Sequence, residues 1–249
     1  MKTVLKYSLA ILLLFLCCHA ALAQGGPPLL TDDPGTPGNR NWEINAGATV
    51  EARSGLTEAE LPIVDINYGL GNHIQLKLEM PLLMQFDSRG TQAEAGDGKF
   101  GVKWRFVDQE KHGIAISMYP QVSFNTPGPR RLVNDGAQLL LPLEFARSWG
   151  RFALNAEAGV NLQQNTSNEL IFGMAAGYQA TPKLELLGEL HSTPLANFVA
   201  NDSVFQVGGR RKLTERYVFL FALGRGLPGS TAGPGFVGYF GLQFLFEHK

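Results

Sequence analysis

Apolar and polar residues alternate along most of the chain with a period of two. In the stretch IQLKLEMPLL, residues 74–83, Ile74 and Leu76 alternate with Gln75 and Lys77. Successive side chains of a β-strand point to opposite faces, so this period predicts strands with one apolar and one polar face. About twelve such stretches follow one another. The pattern therefore predicts an all-β chain.

The connections between these stretches alternate in length. One set contains short turns such as GLGNH and SWGR, and the other contains RSGLTEAE, QFDSRGTQAEAGDG and GRGLPGSTAGPG, mostly longer and rich in loop-forming residues. This alternation is typical of an antiparallel up-and-down transmembrane barrel whose termini lie on the side of the short turns. A secreted soluble sandwich or jelly roll is the alternative, but such a fold has no reason to follow the rule.

The last predicted strand, in FVGYFGLQFLFEHK, shows which solvent its apolar face requires. Phe240, Leu242, Phe244 and Phe246 occupy alternate positions, and a soluble protein would leave this face against water. In lipid every backbone donor and acceptor must be paired within the protein, so strands can span only as a closed sheet. Large aromatic residues near the segment ends suit an interfacial girdle; they are Trp42, Tyr68, Trp104, Trp149, Tyr178 and Tyr217. We therefore predict a transmembrane β-barrel of about 12 strands.

The N-terminus has the three parts of a secretory signal peptide. Lys2 and Lys6 precede an apolar run that begins near Leu9, and Ala21-Leu22-Ala23 offers a cleavage site. The run is short for a retained helix, which needs about 20 residues. The sequence predicts a signal peptide at 1–23, a Pro/Gly-rich N-terminal segment at 24–40 and the barrel at 41–249. It also predicts export to the outer membrane of a Gram-negative-type cell.

Composition excludes several classes of function. Both cysteines, Cys17 and Cys18, lie in the predicted signal peptide, so the remaining chain has neither disulfides nor a cysteine-based metal site. Lys and Arg number 21 against 22 Asp and Glu, a balance that does not suit a nucleic-acid partner. After residue 23 no apolar run approaches the length of a transmembrane helix. GRGLPGSTAGPG lacks the Lys-Ser/Thr ending of a nucleotide loop, and we predict no cofactor.

Asp32 with Asp33 and His191 with Ser192 are the candidates for metal binding and for catalysis. Asp32 and Asp33 offer oxygens to calcium, but without further ligands at fixed spacing they indicate a Pro-rich turn near the periplasmic mouth. His191 stands beside Ser192, and neighbouring strand residues point to opposite faces, so they do not form a nucleophile and base pair. His73 and His112 fall in predicted periplasmic turns. We predict that the protein is not an enzyme and has no catalytic or metal-binding residue.

The polar faces of the strands carry the candidate functional residues. If the apolar faces contact lipid, the polar faces line the lumen, where charges of both signs select for polar or charged solutes. The predicted selectivity residues are Lys77, Glu79, Lys103 and Arg105 on the third and fourth strands, with Glu157, Glu185 and Glu189 across the lumen. A barrel of this size is narrow, so inward charges that pair with one another also suit a closed interior.

Two motifs resemble known proteins. YFGLQFLF resembles the terminal strand signal of bacterial outer-membrane barrels through Gly241, Phe244 and Phe246, although EHK follows the last aromatic residue. The resemblance implies recognition by the barrel-assembly machinery. PPLLTDDPGTPGNRNWEIN, ELPIVDINYGLGNHIQLKLEMPLL, GVKWRF, DGAQLLLPLEF and LGRGL resemble the outer-membrane proteins of the phenol-degradation meta-pathway family, which are described as transporters. This second resemblance covers nearly the whole chain after the signal peptide and implies a barrel.

The sequence thus predicts a channel that passively conducts small polar or amphipathic molecules. Its partners would be outer-membrane lipid, the assembly machinery and small solutes. The alternative is a plugged envelope-structural or interaction barrel whose outer loops bind a partner. The loop QFDSRGTQAEAGDG is expected to be able to fold inward and constrict the pore.

Overall fold

A single antiparallel sheet forms the protein. The structure, a computed structural model, describes residues 26–133, 136–230 and 233–248, so the predicted signal peptide lies outside the described residues. Within the described residues there are fourteen strands. They are β1 (Trp42–Arg53), β2 (Leu56–Leu70), β3 (Ile74–Asp87), β4 (Gly90–Ala95), β5 (Gly98–Val107), β6 (Ala115–Met118), β7 (Gln121–Phe124), β8 (Gln138–Trp149), β9 (Phe152–Gln163), β10 (Glu169–Thr181), β11 (Leu184–Ser192), β12 (Ser203–Lys212), β13 (Tyr217–Gly226) and β14 (Phe236–Phe246). One helical turn, α1 (Gln109–His112), joins β5 to β6.

The sheet closes into a barrel. β1 pairs with β14, with Trp42 opposite Phe246 at one end and Ala52 opposite Phe236 at the other. β4 and β5 both pair with β3, and β6 and β7 both pair with β5 and β8, so each of these couples forms one interrupted barrel strand. Counted in this way, the described residues form twelve barrel strands, which confirms the predicted fold class and number.

Proline explains the interruption between β6 and β7. Pro120 has no amide hydrogen to donate to the ladder, so the strand breaks at Tyr119 and Pro120. The alternation of side chains nevertheless continues through the break. Met118 and Val122 are exposed on the outer face, whereas Tyr119 is fully buried in the interior.

The outer face of the barrel is apolar and exposed, as lipid contact requires. On the last strand Phe240, Leu242 and Phe246 are exposed, as their alternation predicts. Aromatic pairs collect at the end of the barrel that carries the short turns: Trp42 with Tyr68 at 4.6 Å between ring centroids, Phe152 with Tyr178 at 4.9 Å, and Tyr217 with Phe244 at 5.6 Å. This girdle marks the membrane interface on the side of the termini. None of the helices described is long and apolar enough to span a membrane.

Two predicted outer loops are strands instead. RSGLTEAE turns at Ser54 and Gly55, and QFDSRGTQAEAGDG turns at Ser88 and Arg89, with strand on both sides of each turn. The second segment therefore builds the hairpin β3–β4 and extends the wall, and the expected inward fold is wrong. Beyond the hydrocarbon region lipid no longer requires one apolar face, so the strands continue although their hydrophobic pattern ends.

Candidate solute pathway in the barrel lumen

Residues 26–35, called the plug from here on, lie inside the barrel. Three of its residues are prolines, which cannot donate to a strand ladder. The backbone instead folds on itself, because the Leu29 amide donates to the Gly26 carbonyl at 3.0 Å and the Gly26 amide donates to the Thr31 carbonyl at 2.9 Å. Thr31 and Asp33 are buried. The predicted turn-forming segment is thus present, but it lies within the lumen and not only at its mouth.

Two carboxylates of the barrel wall accept the amides of the plug. Glu189 of β11 accepts from Leu30 at 3.1 Å and from Thr31 at 2.5 Å. Glu157 of β9 accepts from the Asp32 amide at 3.0 Å. Buried amides need acceptors, and hydrogen bonds to charged groups are the stronger kind, so this wall fixes the middle of the plug.

Two cations of the wall hold the ends of the plug. Lys103 of β5 lies 2.9 Å from Asp32 Oδ1, donates to the Asp33 carbonyl and lies 3.4 Å from buried Glu144. Arg210 of β12 donates to the carbonyls of Gly26 at 3.1 Å and Pro27 at 3.0 Å. Charged side chains of the wall therefore pair with both backbone amides and backbone carbonyls of the plug.

Apolar contacts also hold the plug against the barrel wall. Leu29 is buried in a cluster of inward-facing residues; these include Ala175, Leu187, Val218, Leu220, Ala222 and Tyr239. A methyl group added at Gly173 of β10 would collide with the Thr31 side chain. The missing side chain at Gly173 thus leaves the space that Thr31 occupies.

Four of the predicted selectivity residues contact or support the plug. Lys103, Glu157 and Glu189 bind it directly, and Glu185 lies 3.4 Å from the plug-binding guanidinium of Arg210. Arg105 lies elsewhere, because its guanidinium lies 3.2 Å from Asp108 and donates to a carbonyl in the β2–β3 turn.

Lys77 and Glu79 of β3 belong to an ionic network on another part of the wall. The Lys77 ammonium lies 2.9 Å from Glu79 and 3.8 Å from Asp65 of β2. Lys99 of β5 lies 2.7 Å from the other Glu79 oxygen. On the side of the short turns, Asn45 and Asn67 donate to Asp65 at 3.2 Å and 3.0 Å. These side chains line the β1–β3 arc of the lumen from the outer end toward the periplasmic end.

Cavities lie on both sides of the plug. The outer chamber has a volume of about 610 Å³ and lies between the plug and the outer ends of the strands. The inner pocket has a volume of about 30 Å³ and lies between the plug and the β1–β3 wall. The plug therefore separates a roomy outer chamber from a pocket that is close in size to a few water molecules.

The two aspartates of the plug have opposite electrostatic environments. Burial raises the pKa of Asp32, but Lys103 and Lys77 outweigh burial and hold that pKa below 3.8. Burial raises the pKa of Asp33 to about 6, because Lys103 opposes the effect only in part and Asp32 adds to it. Asp33 Oδ2 has no hydrogen-bond partner among the described residues.

The residues considered for catalysis and metal binding have other neighbours. Ser192 Oγ lies 2.7 Å from Ser203 Oγ across the β11–β12 pair. Asp32 and Asp33 are engaged by Lys103, and no group of three or more His, Cys, Asp or Glu in the described part of the chain is arranged to hold a metal ion.

Sequence reasoning missed the contacts that seat the plug. Arg210 follows two glycines, and no local pattern indicates that it binds the N-terminal segment. The hydrogen bonds between the plug and the barrel wall join residues 70 to 184 positions apart in the chain. The one local signal was the density of proline and glycine between residues 24 and 40, which excludes a strand without indicating where the segment docks.

Known proteins share the barrel with this chain. No protein-family model and no curated protein matches it. Among solved structures it is similar to the COG4313 outer membrane channel from Pseudomonas putida F1, with a TM-score of 0.68 and 14% identity over 90% of this chain and 100% of that chain. It is also similar to the KdgM porin in complex with disordered oligogalacturonate, with a TM-score of 0.58 and 9% identity over 82% and 99% of the two chains. The CymD monoaromatic hydrocarbon channel gives a TM-score of 0.51 and 8% identity over 84% and 90%.

At these identities the similarity shows the fold, which is the barrel of outer-membrane channels and porins. The predicted membership of the phenol-degradation meta-pathway family stays a prediction.

Proposed function

We propose that the protein is an outer-membrane channel through which small polar or amphipathic molecules diffuse passively. The closed barrel and its apolar outer belt support a membrane-spanning role. The similar solved structures are channels and porins, which supports the same class of function. The observation that carries the proposal is the outer chamber of about 610 Å³ inside the barrel.

The lining of the outer chamber suits an amphipathic solute. Its polar part includes Glu60 and Glu79, which lie on β2 and β3. Its apolar part includes Ile171 of β10 and Val237 of β14, together with the plug residues Leu29 and Leu30. A molecule with an apolar body and a polar end would contact both parts at once.

The seven predicted lumen residues have different roles in this proposal. Lys77 and Glu79 line the space through which solutes pass. Lys103, Glu157 and Glu189 act through the plug, because they hold the segment that narrows the lumen, and Glu185 supports them by its proximity to Arg210. Arg105 stabilises the periplasmic turn and has the least influence on selectivity.

Assembly into the membrane belongs to the same proposal. The exposed apolar belt would contact outer-membrane lipid, and the last strand with Gly241, Phe244 and Phe246 would be recognised by the barrel-assembly machinery. Phe244 contacts Tyr217, and Phe246 lies opposite Trp42 where the barrel closes. Both aromatic residues therefore also take part in closing the barrel.

The test is a conductance measurement on the full-length gene product, purified from the outer membrane of expressing cells. Its N-terminal mass checks the predicted cleavage after Ala23. In a planar bilayer the protein should give discrete steps, and vesicles that contain it should take up small amphipathic solutes faster than large sugars. A heat-denatured sample is the control. If folded, inserted protein gives neither conductance steps nor solute uptake, the proposal is contradicted.

The buried plug favours one second candidate, a plugged envelope-structural or interaction barrel. Glu157 and Glu189 accept from backbone amides of the plug, Lys103 pairs with Asp32, and Arg210 donates to a plug carbonyl, as in a permanent structural element. In that case the outer loops would bind a partner. The same conductance measurement separates the two functions, because a permanent plug predicts no current in the wild-type protein or in variants that weaken the plug.

A further inference from the structure

The outer chamber and the inner pocket adjoin at one place. The residues that line both are Gly26, Pro27 and Asp32 of the plug and Lys77 of β3. Among the described residues, Lys77 is thus the one barrel-wall residue that lines both cavities, and its side chain lies at their junction. Its side chain is 11% exposed, so it fills the junction and does not extend into open solvent.

The inner pocket lies on the side of the plug that faces β1, β2 and β3. Its anchors come from Glu157, Glu189, Lys103 and Arg210, which lie on β9, β11, β5 and β12. The inner pocket lies between the plug and residues of β1, β2 and β3, with Lys103 of β5 and Tyr119 also in its lining. The remaining space therefore follows the β1–β3 wall, where the ionic network of Lys77, Glu79 and Asp65 lies.

The inner pocket is suited to water or a small cation. Asp33 Oδ2 and Asn45 Oδ1 belong to residues that line the pocket, are buried, and have no hydrogen-bond partner among the described residues. Asn45 Oδ1 is an acceptor, and Asp33 Oδ2 is also an acceptor when the Asp33 carboxyl is ionised. A water molecule needs about 10–15 Å³ of such space, and the pocket offers about 30 Å³.

We propose that ions and water cross the plugged barrel along the β1–β3 wall, and that Lys77 determines the size and charge of what passes. This inference rests on the proposed channel function. Carboxylates lie on both sides of the junction, with Glu79 toward the outer chamber and Asp65 toward the inner pocket. A passing cation is attracted by both carboxylates and repelled by the Lys77 ammonium between them. Lys77 thus narrows the path and limits the preference for cations.

The first test compares Lys77 with Lys99. Lys99 is a matched control because it pairs with the same Glu79 but lines only the outer chamber. Lys77→Ala removes both bulk and charge and should raise single-channel conductance. Lys77→Met keeps the chain length and should shift the reversal potential in a KCl gradient toward that of a cation-selective pore, with a smaller rise in conductance. Lys99→Met and Lys99→Ala should change conductance little. Heat-modifiable gel mobility checks the folding of each variant.

The second test places a single thiol at each site. Both native cysteines lie at positions 17 and 18 of the predicted signal peptide, so the mature forms of Lys77→Cys and Lys99→Cys each carry one thiol. Silver ion, a small soft cation that binds thiolate, should abolish most of the current through Lys77→Cys. Current through Lys99→Cys should largely persist, because the outer chamber is wide at that position.

The outcomes separate this inference from the proposed function. If the wild-type protein conducts but the Lys77 and Lys99 variants behave alike in both tests, the path does not pass Lys77 and the inference is wrong. If the wild-type protein and every variant are silent although folded and inserted, the proposed channel function fails, and the inference fails with it. Current that rises in Lys77→Ala and is blocked in Lys77→Cys supports both.

Discussion

At the residue scale, charge pairing inside the lumen decides which side chains hold the structure and which control passage. Lys103 is buried between Asp32 and Glu144, whereas Lys111 in α1 is exposed and pairs with Asp108 at the surface. A buried charge that loses its partner cannot be compensated by water, and an exposed one can. Two lysines with similar ion pairs therefore contribute very differently to stability.

Replacing Lys103 should destabilise the barrel strongly. Lys103→Met leaves Asp32 and Glu144 without their buried cation, and breaking such a pair costs about 3–5 kcal/mol in the free energy of unfolding. Lys111→Met is the control, with an expected loss of at most about 1 kcal/mol because the pair is exposed. Urea unfolding of both variants in lipid vesicles measures the difference. Equal losses would show that Lys103 is not a buried anchor.

The docking of the plug should depend on pH through Asp33. Its pKa in the docked plug is about 6, above the ordinary value of 3.8, so docking is favoured by protonation. This contribution is complete below about pH 3.8 and is lost as the pH rises through 6. The pKa of Asp32 lies below 3.8, so its pairing with Lys103 persists across that window. Lys103 and Arg210 face Asp33 and only partly oppose the effect.

Channel conductance should therefore rise between pH 3.8 and about 6, as docking weakens. Asp33→Asn should abolish the contribution of this group, because the amide is neutral at every pH in the window. Glu110→Gln, in the periplasmic helical turn, is the control and should keep the wild-type profile. The measurement is conductance as a function of pH in the wild-type protein and in each variant. If Asp33→Asn keeps the wild-type pH profile, Asp33 is not the group that titrates.

At the element scale, β10 and the plug approach each other closely at Gly173. Substituting this glycine by alanine adds one methyl group and tests that contact. Gly173→Ala should displace the plug, since the added carbon would collide with the Thr31 side chain. Gly188→Ala on β11 is the matched control, because a carbon added there lies 4.0 Å from its nearest neighbour. We expect higher conductance and faster proteolysis of the N-terminal segment in Gly173→Ala alone. The same behaviour in both variants would contradict the proposed seat of Thr31.

The sequence predicted the barrel strands, because every strand has the same two environments on its two faces. Twelve barrel strands follow from alternation, because each strand has lipid on one side and the lumen on the other. Alternation could not reveal the strands at RSGLTEAE, which extend beyond the hydrocarbon region. Nor could it reveal the seat of the plug, since the contact between Leu30 and Glu189 joins residues 159 positions apart. Lumen-facing positions were therefore predictable, whereas their partners required the folded chain.

At the scale of the whole molecule, the ionic network around Lys77 and the apolar cluster around Leu29 lie on different parts of the interior wall. The ionic network lies on β2, β3 and β5, and the cluster around Leu29 lies on β10 to β14. Polar side chains therefore line the inner pocket beside the plug, whereas Leu29 of the plug packs on apolar side chains. The same arrangement explains why β13 is apolar on both faces: Leu220 and Ala222 face the plug side, and Phe219 and Leu223 face lipid.

The balance of charge in the outer chamber predicts a preference for cations. Acidic residues outnumber basic ones in its lining, which contains Asp32, Glu51, Glu58, Glu60, Glu79 and Glu157 against Lys77 and Lys99. A narrow space with low-dielectric walls concentrates ions of the opposite sign. The reversal potential in a KCl gradient should therefore be that of a cation-selective pore.

Ionic strength and substitution both test the origin of this preference. It should weaken between 0.1 M and 1 M salt, because the screening length falls from about 10 Å to about 3 Å. Glu51→Gln together with Glu60→Gln should weaken it at low salt, whereas the control Glu110→Gln lies outside the lumen and should not. An anion preference, or one that survives high salt unchanged, would show that the chamber's carboxylates do not control selectivity. Ion selectivity would then be determined at a narrow, weakly screened point such as the junction at Lys77.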